Sequence, residues 1–347
     1  MHVTRTLLVA ATLALGAAAT GARAENISGA GATFPYPIYS KWADTYKKTT
    51  GIGLNYQSIG SGGGIRQIEA KTVTFGASDM PLEPADLAKN GLQQFPAIIG
   101  GAVPVVNVKG VKAGELLLDG PTIASIYLGD ITMWNDPRIR RLNPRVSLPA
   151  TAIAPVYRAD GSGTNFLFTN YLSKSSPDFA QKIGSSTSVQ WPVGIGAKGN
   201  EGVANMTVRT DGAIGYVEFA YALQNHMAYA RLINRDGKAV APSTASFQAA
   251  AANADWSHAD HYHLVLTDQP GAKSWPITGA SFILVYSNPP DPMATAQALK
   301  FFAWAFHNGG DTARALDYVP LPASLVKMIE NTWRTQIKAN GAPVWAG

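Results

Sequence analysis

Glycine-rich turns, each between an apolar stretch and a helical pattern, constrain the fold of this chain more than any other feature. Three of these junctions lie before residue 82, with turns at 29–35, 60–64 and 79–81, and a fourth lies at 158–166. Strands that alternate with helices favour a parallel α/β sheet. Because ligands bind beyond the carboxyl ends of such strands, the polar residues of these turns are candidate binding residues.

The fourth turn carries the clearest chemical signal. It has the sequence Arg-Ala-Asp-Gly-Ser-Gly-Thr-Asn-Phe, between a strand pattern at 153–157 and a helical pattern at 167–172. Ser162 or Thr164 can cap the helix start, whose free N–H groups and positive dipole end favour an anion. Arg158 adds a planar fork of donors that suits an oxyanion. For this segment alone, a structural turn with a helix cap and a surface arginine remains the alternative.

The first three turns each follow a predicted strand. The turn at 29–35 presents Thr33 as a helix cap and Pro35 near the first helical position. Tyr39 and Trp42 then recur at helical spacing and are expected in the core. The turn at 60–64 starts a helix predicted over 65–71, and a strand at 73–78 leads into a turn that contains Asp79.

Two long apolar stretches, 95–108 and 277–286, predict strands that cross between two domains. The block between them, residues 108–280, would then form one lobe. Residues 25–107 together with 281–347 would form the other lobe. A chain of 347 residues is long enough for two such cores.

The first 24 residues predict a secretory signal peptide. A basic start precedes an apolar run at 7–19, and Ala-Arg-Ala at 22–24 has the form of a cleavage site after Ala24. The apolar run is too short for a membrane span, and the cleavage motif disfavours a retained anchor. We therefore expect an exported protein, and the periplasm of a Gram-negative cell fits best.

Charge and cysteine content narrow the function classes further. Without residues 1–24 the chain carries 26 basic and 23 acidic side chains, a net charge of +3. That balance is compatible with an anionic ligand, but it is too weak and too dispersed to indicate a nucleic acid partner. The chain has no cysteine, so neither disulfides nor lipid attachment at the cleavage site is expected.

One motif suggests a dinucleotide site. Residues 194–199 match G-x-G-x-x-G, and Glu218 lies near the spacing of a ribose-binding acid. However, Pro192 interrupts the strand that should precede the motif. A loop before a helix at 200–208 is therefore the favoured interpretation. The chain contains no G-x-x-x-x-G-K-[ST] sequence, so a P-loop has no support.

A group of imidazoles and carboxylates suggests a metal site: His258, His261, His263, Asp255 and Asp260. Their irregular spacing among other polar residues favours an exposed loop, and imidazole spacing alone does not identify a metal. We therefore predict no metal and no cofactor.

Serine chemistry is left open by the sequence. Neither Ser61 nor Ser162 lies in G-x-S-x-G, and no histidine is near either residue in the chain. Since triad members are often distant in sequence, hydrolysis is an alternative that these observations do not exclude.

Taken together, the motifs at 29–35, 60–61, 76–79 and 158–164 resemble those of periplasmic phosphate-binding proteins of bacterial ABC importers. Trp191-Pro192 and the stretches 212–217 and 275–278 extend the resemblance over nearly all of the chain that follows the signal peptide. The resemblance implies a type II periplasmic binding-protein fold, with two α/β lobes joined by crossover hinge strands and the ligand enclosed between them.

The resemblance also implies which groups hold the phosphate. The contacts that it implies are, on the first lobe, Thr33, Phe34 through its backbone, Ser61 and Asp79, and on the second lobe Arg158, Ser162, Gly163 and Thr164. Asp79 matches the carboxylate that accepts the phosphate proton and excludes sulfate. Asp160 matches the acid that pairs with the arginine.

The implied function is high-affinity binding of inorganic phosphate by a monomeric, non-enzymatic protein. Its implied partners are the inner-membrane permease subunits of an ABC importer and, through them, the ATPase. A secreted phosphatase or esterase is the alternative from another class, and it would need an activated nucleophile or metals. A binder of another tetrahedral oxyanion and an adhesin without a small ligand are further alternatives.

Overall fold

The computed structural model describes residues 27–345 and Gly347, so the predicted signal peptide lies outside the described residues. The strands are β1 (Ile27–Gly31), β2 (Leu54–Ser58), β3 (Phe75–Ser78), β4 (Leu92–Asn107), β5 (Leu117–Leu118), β6 (Ala154–Arg158), β7 (Ile195–Ala197), β8 (Ala213–Glu218), β9 (Ala228–Tyr229), β10 (Arg231–Ile233), β11 (Ala239–Val240), β12 (Thr278–Tyr286), β13 (Lys338–Ala339) and β14 (Ala342–Pro343). The helices are α1 (Tyr36–Thr50), α2 (Ser61–Glu69), α3 (Pro84–Asn90), α4 (Gly120–Leu128), α5 (Pro137–Leu142), α6 (Gly163–Ser175), α7 (Pro177–Lys182), α8 (Gly199–Arg209), α9 (Phe219–Gln224), α10 (Thr244–Ala251), α11 (Pro292–Asn308), α12 (Gly310–Ala315) and α13 (Ala323–Gln336), with a 3-10 turn at Asp260–Tyr262.

One sheet runs through most of the molecule in the order β2-β1-β3-β12-β4-β8-β6-β7. Strands β2, β1 and β3 are parallel, and so are β8, β6 and β7. The two parallel sections are joined by β12 and β4, which are antiparallel to each other and to their outer neighbours. The prediction of parallel α/β structure is therefore confirmed for each section, while the joint between the sections is antiparallel.

Strand β4 connects the two sections. Its first part pairs with β12, from Leu92 to Gly101, and its second part pairs with β8, from Ala102 to Asn107. Since β4 is buried along nearly its whole length, its apolar sequence fits a strand that is covered on both faces. This crossing is the feature expected of the stretch 95–108, and the lobe boundaries assigned from the sequence remain a prediction.

Helix α1 buries its aromatic face as predicted. Tyr39 and Trp42 are buried and stacked, with ring centroids 5.9 Å apart, and the Trp42 indole donates to the Gly309 carbonyl at 3.0 Å. The prediction that Thr33 caps this helix is wrong, because the residue before the helix is Pro35 and no side chain caps it. The Thr33 hydroxyl has a different partner, described below.

Helix α2 begins at Ser61, four residues before the predicted start at residue 65. The glycines at 62–64 are therefore helical, which their low helix propensity disfavours. Close packing explains this difference, because a Cβ on Gly64 would lie 2.5 Å from the Ala30 carbonyl and 2.9 Å from that of Ala77. Tertiary contact thus overrides local propensity here.

Among residues 27–345, no helix combines the length and the apolarity that a membrane crossing requires. Ser162 caps α6, and Asp291 caps α11 with Pro292 at its first position, as the sequence predicts.

Candidate functional site

The polar turns meet where five strands end. On one side, which we call the first wall, are the loops after β1, β2 and β3. On the other side, the second wall, are the loops after β6 and β7 and the starts of α6 and α8. All eight contact residues predicted from the sequence lie on these two walls, and the side chains of the polar ones are buried or nearly so.

Ser61 joins the two walls through its hydroxyl. Its Oγ accepts the backbone N–H of Asp79 at 3.2 Å, within the first wall. It also accepts the N–H of Gly163 at 3.0 Å, from the second wall. Because both lone pairs are occupied by donors, the Ser61 proton is free to point at an acceptor.

The walls approach each other closely enough for backbone contact. The Gly62 N–H donates to the Gly161 carbonyl at 2.9 Å. A Cβ on Gly163 would lie 2.5 Å from the Asp79 Cβ and 2.6 Å from the Ser61 Oγ. Glycine is therefore required at 163 for steric reasons, since any side chain there would separate the walls.

Arg158 and Asp160 form a buried ion pair on the second wall. The Arg158 Nε and Nη2 donate to the two Asp160 oxygens at 2.8 and 2.6 Å, a bidentate geometry. Burial alone would raise the pKa of Asp160, but the hydrogen bonds and charge of Arg158 outweigh it and hold that pKa below its usual value. Asp160 also accepts the Gly199 N–H at 3.1 Å, which ties the start of α8 to this pair.

The start of α6 presents N–H groups to the space between the walls. Ser162 Oγ accepts the Asn165 N–H at 3.0 Å and so caps the helix. Within the described residues, the Thr164 N–H has no hydrogen-bond acceptor. A capped thirteen-residue helix whose first turn keeps a free donor can bind an anion through that donor and the helix dipole.

Asp79 has an unusual electrostatic environment. Burial raises the pKa of its carboxyl to about 7, although the neighbouring Ser281 hydroxyl, the Arg158 charge and the Ser61 hydroxyl all favour the ionised form. No described residue donates to its Oδ1, which is fully buried. The Arg158 Nη1 on the second wall is likewise buried without an acceptor among the described residues.

Asn200 is a site residue that the sequence interpretation missed. Its Nδ2 donates to the Thr33 Oγ1 at 2.6 Å and approaches the Thr164 Oγ1 at 3.3 Å, so it links the two walls. Its Oδ1 accepts the Glu218 N–H at 2.8 Å. The sequence did contain a signal for this role. An asparagine, which has a short amide side chain, stands at the start of the helix predicted over 200–208, directly after a glycine-rich turn.

The G-x-G-x-x-G segment forms part of the second wall, where its last glycine, Gly199, donates its N–H to Asp160. Residues 194–199 contain the short strand β7 and lead into α8, so the predicted plain loop is in fact another strand-to-helix junction. Glu218, at the end of β8, is fully buried and accepts the Ala220 N–H at 2.9 Å. Burial raises the pKa of this carboxyl well above its usual value, although the Tyr318 hydroxyl, 2.8 Å from its Oε2, acts to lower it.

The histidines of the suggested metal cluster contact separate carboxylates. His258 pairs with Asp255 at 2.7 Å, and His263 pairs with Glu83 at 3.2 Å. In the part of the chain that the structure describes, no three histidine, aspartate or glutamate side chains come together as metal ligands.

Comparison with known proteins places this geometry in context. A family model described as a PBP superfamily domain matches residues 16–308. The phosphate-binding protein PstS of Pasteurella multocida is 52% identical over 324 residues, which is 93% of this chain and 94% of that protein. The PstS protein of Xylella fastidiosa is 53% identical over 313 residues, 90% of this chain and 86% of that one. A solved phosphate-binding protein from Stenotrophomonas maltophilia shares the fold, with a TM-score of 0.72 at 20% identity over 93% of this chain and 98% of that one.

Proposed function

The chain belongs to the PstS family of phosphate-binding proteins, and we propose that it binds inorganic phosphate with high affinity for an ABC importer. The proposal extends to the place of action, the periplasm, and to delivery of phosphate to inner-membrane permease subunits and their ATPase. It also holds that the protein is a monomeric binder without catalytic activity.

One observation carries the proposal. Two buried polar atoms on facing walls, the Nη1 of Arg158 and the Oδ1 of Asp79, lack a hydrogen-bond partner among the described residues. A buried donor or acceptor left unpaired costs about 1–3 kcal/mol, and more if it is charged. An anion that brings acceptor oxygens for the arginine and one acidic proton for the aspartate satisfies both. Inorganic phosphate has this combination.

The remaining contacts follow from the donors that the walls supply. We assign the hydroxyls of Thr33, Ser61, Ser162 and Thr164 and the N–H groups of Phe34 and Thr164 to the phosphate oxygens. Most of these donors are neutral, so they stabilise the anion without adding mobile charges. Gly163, whose N–H donates to Ser61 Oγ, contributes by letting the two walls close around the ligand. Asp160 acts through Arg158, whose guanidinium it holds in one orientation.

In this proposal, selectivity for phosphate over sulfate depends on whether the anion carries a proton. An ionised carboxylate can only accept a hydrogen bond, and phosphate at neutral pH retains a proton that sulfate lacks. Asp79 therefore pairs with the phosphate hydroxyl and repels a sulfate oxygen. Because burial raises the pKa of its carboxyl to about 7, Asp79 changes its protonation state near neutral pH.

Closure of the two lobes completes the site in this proposal. The proposed lobes are residues 25–107 with 281–347 and residues 108–280, and they meet at β4 and at the start of β12. Strand β4 pairs with strands of both sections of the sheet, whereas β12 pairs only with β3 and the first part of β4. Opening about these strands would admit phosphate, and closing would bring Ser61 against Gly163. Small-angle scattering with and without phosphate measures the movement, and identical curves would count against it.

Calorimetry of phosphate-stripped protein, residues 25–347, tests the binding function directly. We expect phosphate to release heat and sulfate to release none at equal concentration. Absence of heat with phosphate would refute the proposal, and tighter binding of arsenate or sulfate would establish another oxyanion as the ligand. A chromogenic phosphate ester tests the enzymatic alternative, and turnover that disappears with Ser61→Ala would establish a hydrolase.

A further inference from the structure

Three tyrosine hydroxyls bind three consecutive carbonyls of the loop after β1. Tyr56 donates to the Ala32 carbonyl at 2.7 Å, Tyr221 to the Thr33 carbonyl at 2.7 Å, and Tyr318 to the Phe34 carbonyl at 2.6 Å. Tyr221 and Tyr318 are buried and Tyr56 is half-buried. Burial raises the pKa of each phenol above its usual value, so each keeps its proton. This loop is the one that carries the Thr33 and Phe34 contacts proposed above.

A carbonyl that is held in place also orients the next N–H group. The peptide unit is planar and trans, so the N–H of residue i+1 points opposite to the C=O of residue i. The bond from Tyr221 to the Thr33 carbonyl therefore determines where the Phe34 N–H points. Within the described residues, the Phe34 N–H has no acceptor, which leaves it available to a ligand.

The Tyr221 hydroxyl donates its single proton to the Thr33 carbonyl. Tyr221 also lies 3.3 Å from the Glu201 Oε1, a longer contact than the 2.7 Å to the Thr33 carbonyl. Because a phenol has one proton, the shorter contact receives it. The Thr33 carbonyl accepts one further bond, from the Tyr36 N–H at 3.2 Å, which forms the turn into α1.

Among the three tyrosines, Tyr221 alone comes from the second wall's side of the molecule. It lies on α9, directly after β8, whereas Tyr56 lies on β2 beside the loop and Tyr318 precedes α13. Its bond to Thr33 spans the space between the walls and must break when they separate. The bonds from Tyr36 and Tyr56 lie within the first wall and persist.

We propose that Tyr221 is a positioning residue that aligns the Phe34 N–H with the bound phosphate as the two lobes close. This inference rests on the proposed function and assigns to it a residue that does not touch the ligand. The Phe34 N–H is then aligned in the same step in which the lobes close. The open protein has a loosely oriented donor, and the closed protein has a fixed one.

Three phenylalanine substitutions test the proposal by calorimetry and stopped-flow kinetics. Tyr221→Phe should weaken phosphate binding roughly three- to tenfold, the equivalent of one hydrogen bond. The loss should lie in faster dissociation, because the bond exists only in the closed form. Tyr56→Phe should weaken binding less, because its bond within the first wall aligns the Thr33 N–H instead. Tyr286→Phe is the matched control, since its hydroxyl donates to the Ile68 carbonyl at the same 2.7 Å, away from both walls, and it should leave binding unchanged.

A spectroscopic readout separates positioning from mere stabilisation. Labelling with 15N-phenylalanine and 13C-carbonyl threonine selects the two Thr-Phe pairs of the sequence, so only the Phe34 and Phe75 amides give signals. Phosphate should shift the Phe34 amide strongly in the wild type and weakly in Tyr221→Phe, with Phe75 in β3 as the internal reference.

The outcomes distinguish the two proposals. If the wild type gives no heat with phosphate, the proposed function fails and this inference fails with it. If the wild type binds but Tyr221→Phe keeps the wild-type dissociation rate and Phe34 shift, only this inference is overturned. Equal losses in Tyr221→Phe and Tyr286→Phe would also overturn it, because they would reflect general destabilisation.

Discussion

The two walls of the site differ in how their charged side chains are surrounded. On the first wall Asp79 lies buried without a positive partner of its own, and burial raises the pKa of its carboxyl to about 7. On the second wall Arg158 is held by Asp160 in a bidentate pair, which lowers the pKa of that acid. The first wall therefore offers a group that can change its protonation near neutral pH, and the second wall offers a fixed cation.

In the binding mode that we propose, this difference gives the two walls different roles. The second wall, with its ion pair and the start of α6, would attract any tetrahedral oxyanion. The first wall, through Asp79, would favour an oxyanion that carries a proton. Substitutions on the second wall should therefore change affinity, and substitutions at Asp79 should change selectivity.

The largest effect is expected where the walls touch. Gly163→Ala introduces a methyl group about 2.5 Å from the Asp79 Cβ, so the walls must move apart. We expect phosphate affinity to fall about 100-fold or more, the upper end of the cost of overpacking. Calorimetry measures the loss, and scattering should show that phosphate no longer compacts the molecule.

Gly202→Ala is the matched control for that substitution. A Cβ at this position of α8 would lie 3.6 Å from Ala197, an ordinary contact. Replacing a helical glycine there should raise the unfolding free energy by roughly 0.5–1 kcal/mol and leave phosphate affinity unchanged. Wild-type affinity in Gly163→Ala would mean that closed walls do not require this contact.

Arg158→Lys tests the fixed cation of the second wall. Lysine keeps the charge but lacks the planar fork, so it cannot serve Asp160 and the ligand together. We expect a loss of about 1–3 kcal/mol in phosphate binding and an equal loss for arsenate. Arg138→Lys is the control, because Arg138 makes a similar pair with Asp136 but is itself partly exposed and lies away from both walls, so the substitution should leave phosphate affinity unchanged. Equal affinities in both variants would place Arg158 outside the binding site.

Asp79→Asn tests the first wall through the phosphate-to-sulfate affinity ratio. The asparagine amide can donate to an unprotonated sulfate oxygen. The phosphate-to-sulfate affinity ratio should therefore fall strongly, while phosphate affinity itself falls only modestly. In the wild type the ratio should decrease as pH falls through 7, because Asp79 gains a proton and can then donate to sulfate. In the variant the part of this pH dependence that belongs to Asp79 should be absent. A ratio that is equal in both proteins would leave Asp79 with a structural role in the turn before Pro81.

The smallest effect is expected from the helix cap. Ser162→Ala removes the acceptor of the Asn165 N–H at the start of α6 and should cost about 1 kcal/mol of unfolding free energy. Ser176→Ala removes the corresponding cap of α7 and should cost a similar amount. Urea denaturation measures both losses. Phosphate affinity should fall several-fold only in Ser162→Ala, and equal affinities would limit Ser162 to its role as a cap.

Much of the site could be located from the sequence, because strand-to-helix junctions leave local signals. The glycines, the cap Ser162 and the apolar strands before them lie within a few residues of one another, and each reflects backbone sterics or helix-end hydrogen bonding. The same signals were misleading where packing outweighed them. Thr33 has the sequence of a helix cap, yet its hydroxyl accepts the amide of Asn200, 167 residues away.

The sequence by itself therefore determined which turns carry polar groups and that the strands alternate with helices. Only the tertiary structure decided which of those groups meet. The contacts of Ser61 with Gly163 and of Tyr221 with Thr33 join residues 102 and 188 positions apart, and both depend on how β4 and β12 connect the two sections. The pKa of Asp79 was equally beyond the sequence, because it depends on how completely the surrounding segments remove the carboxylate from water.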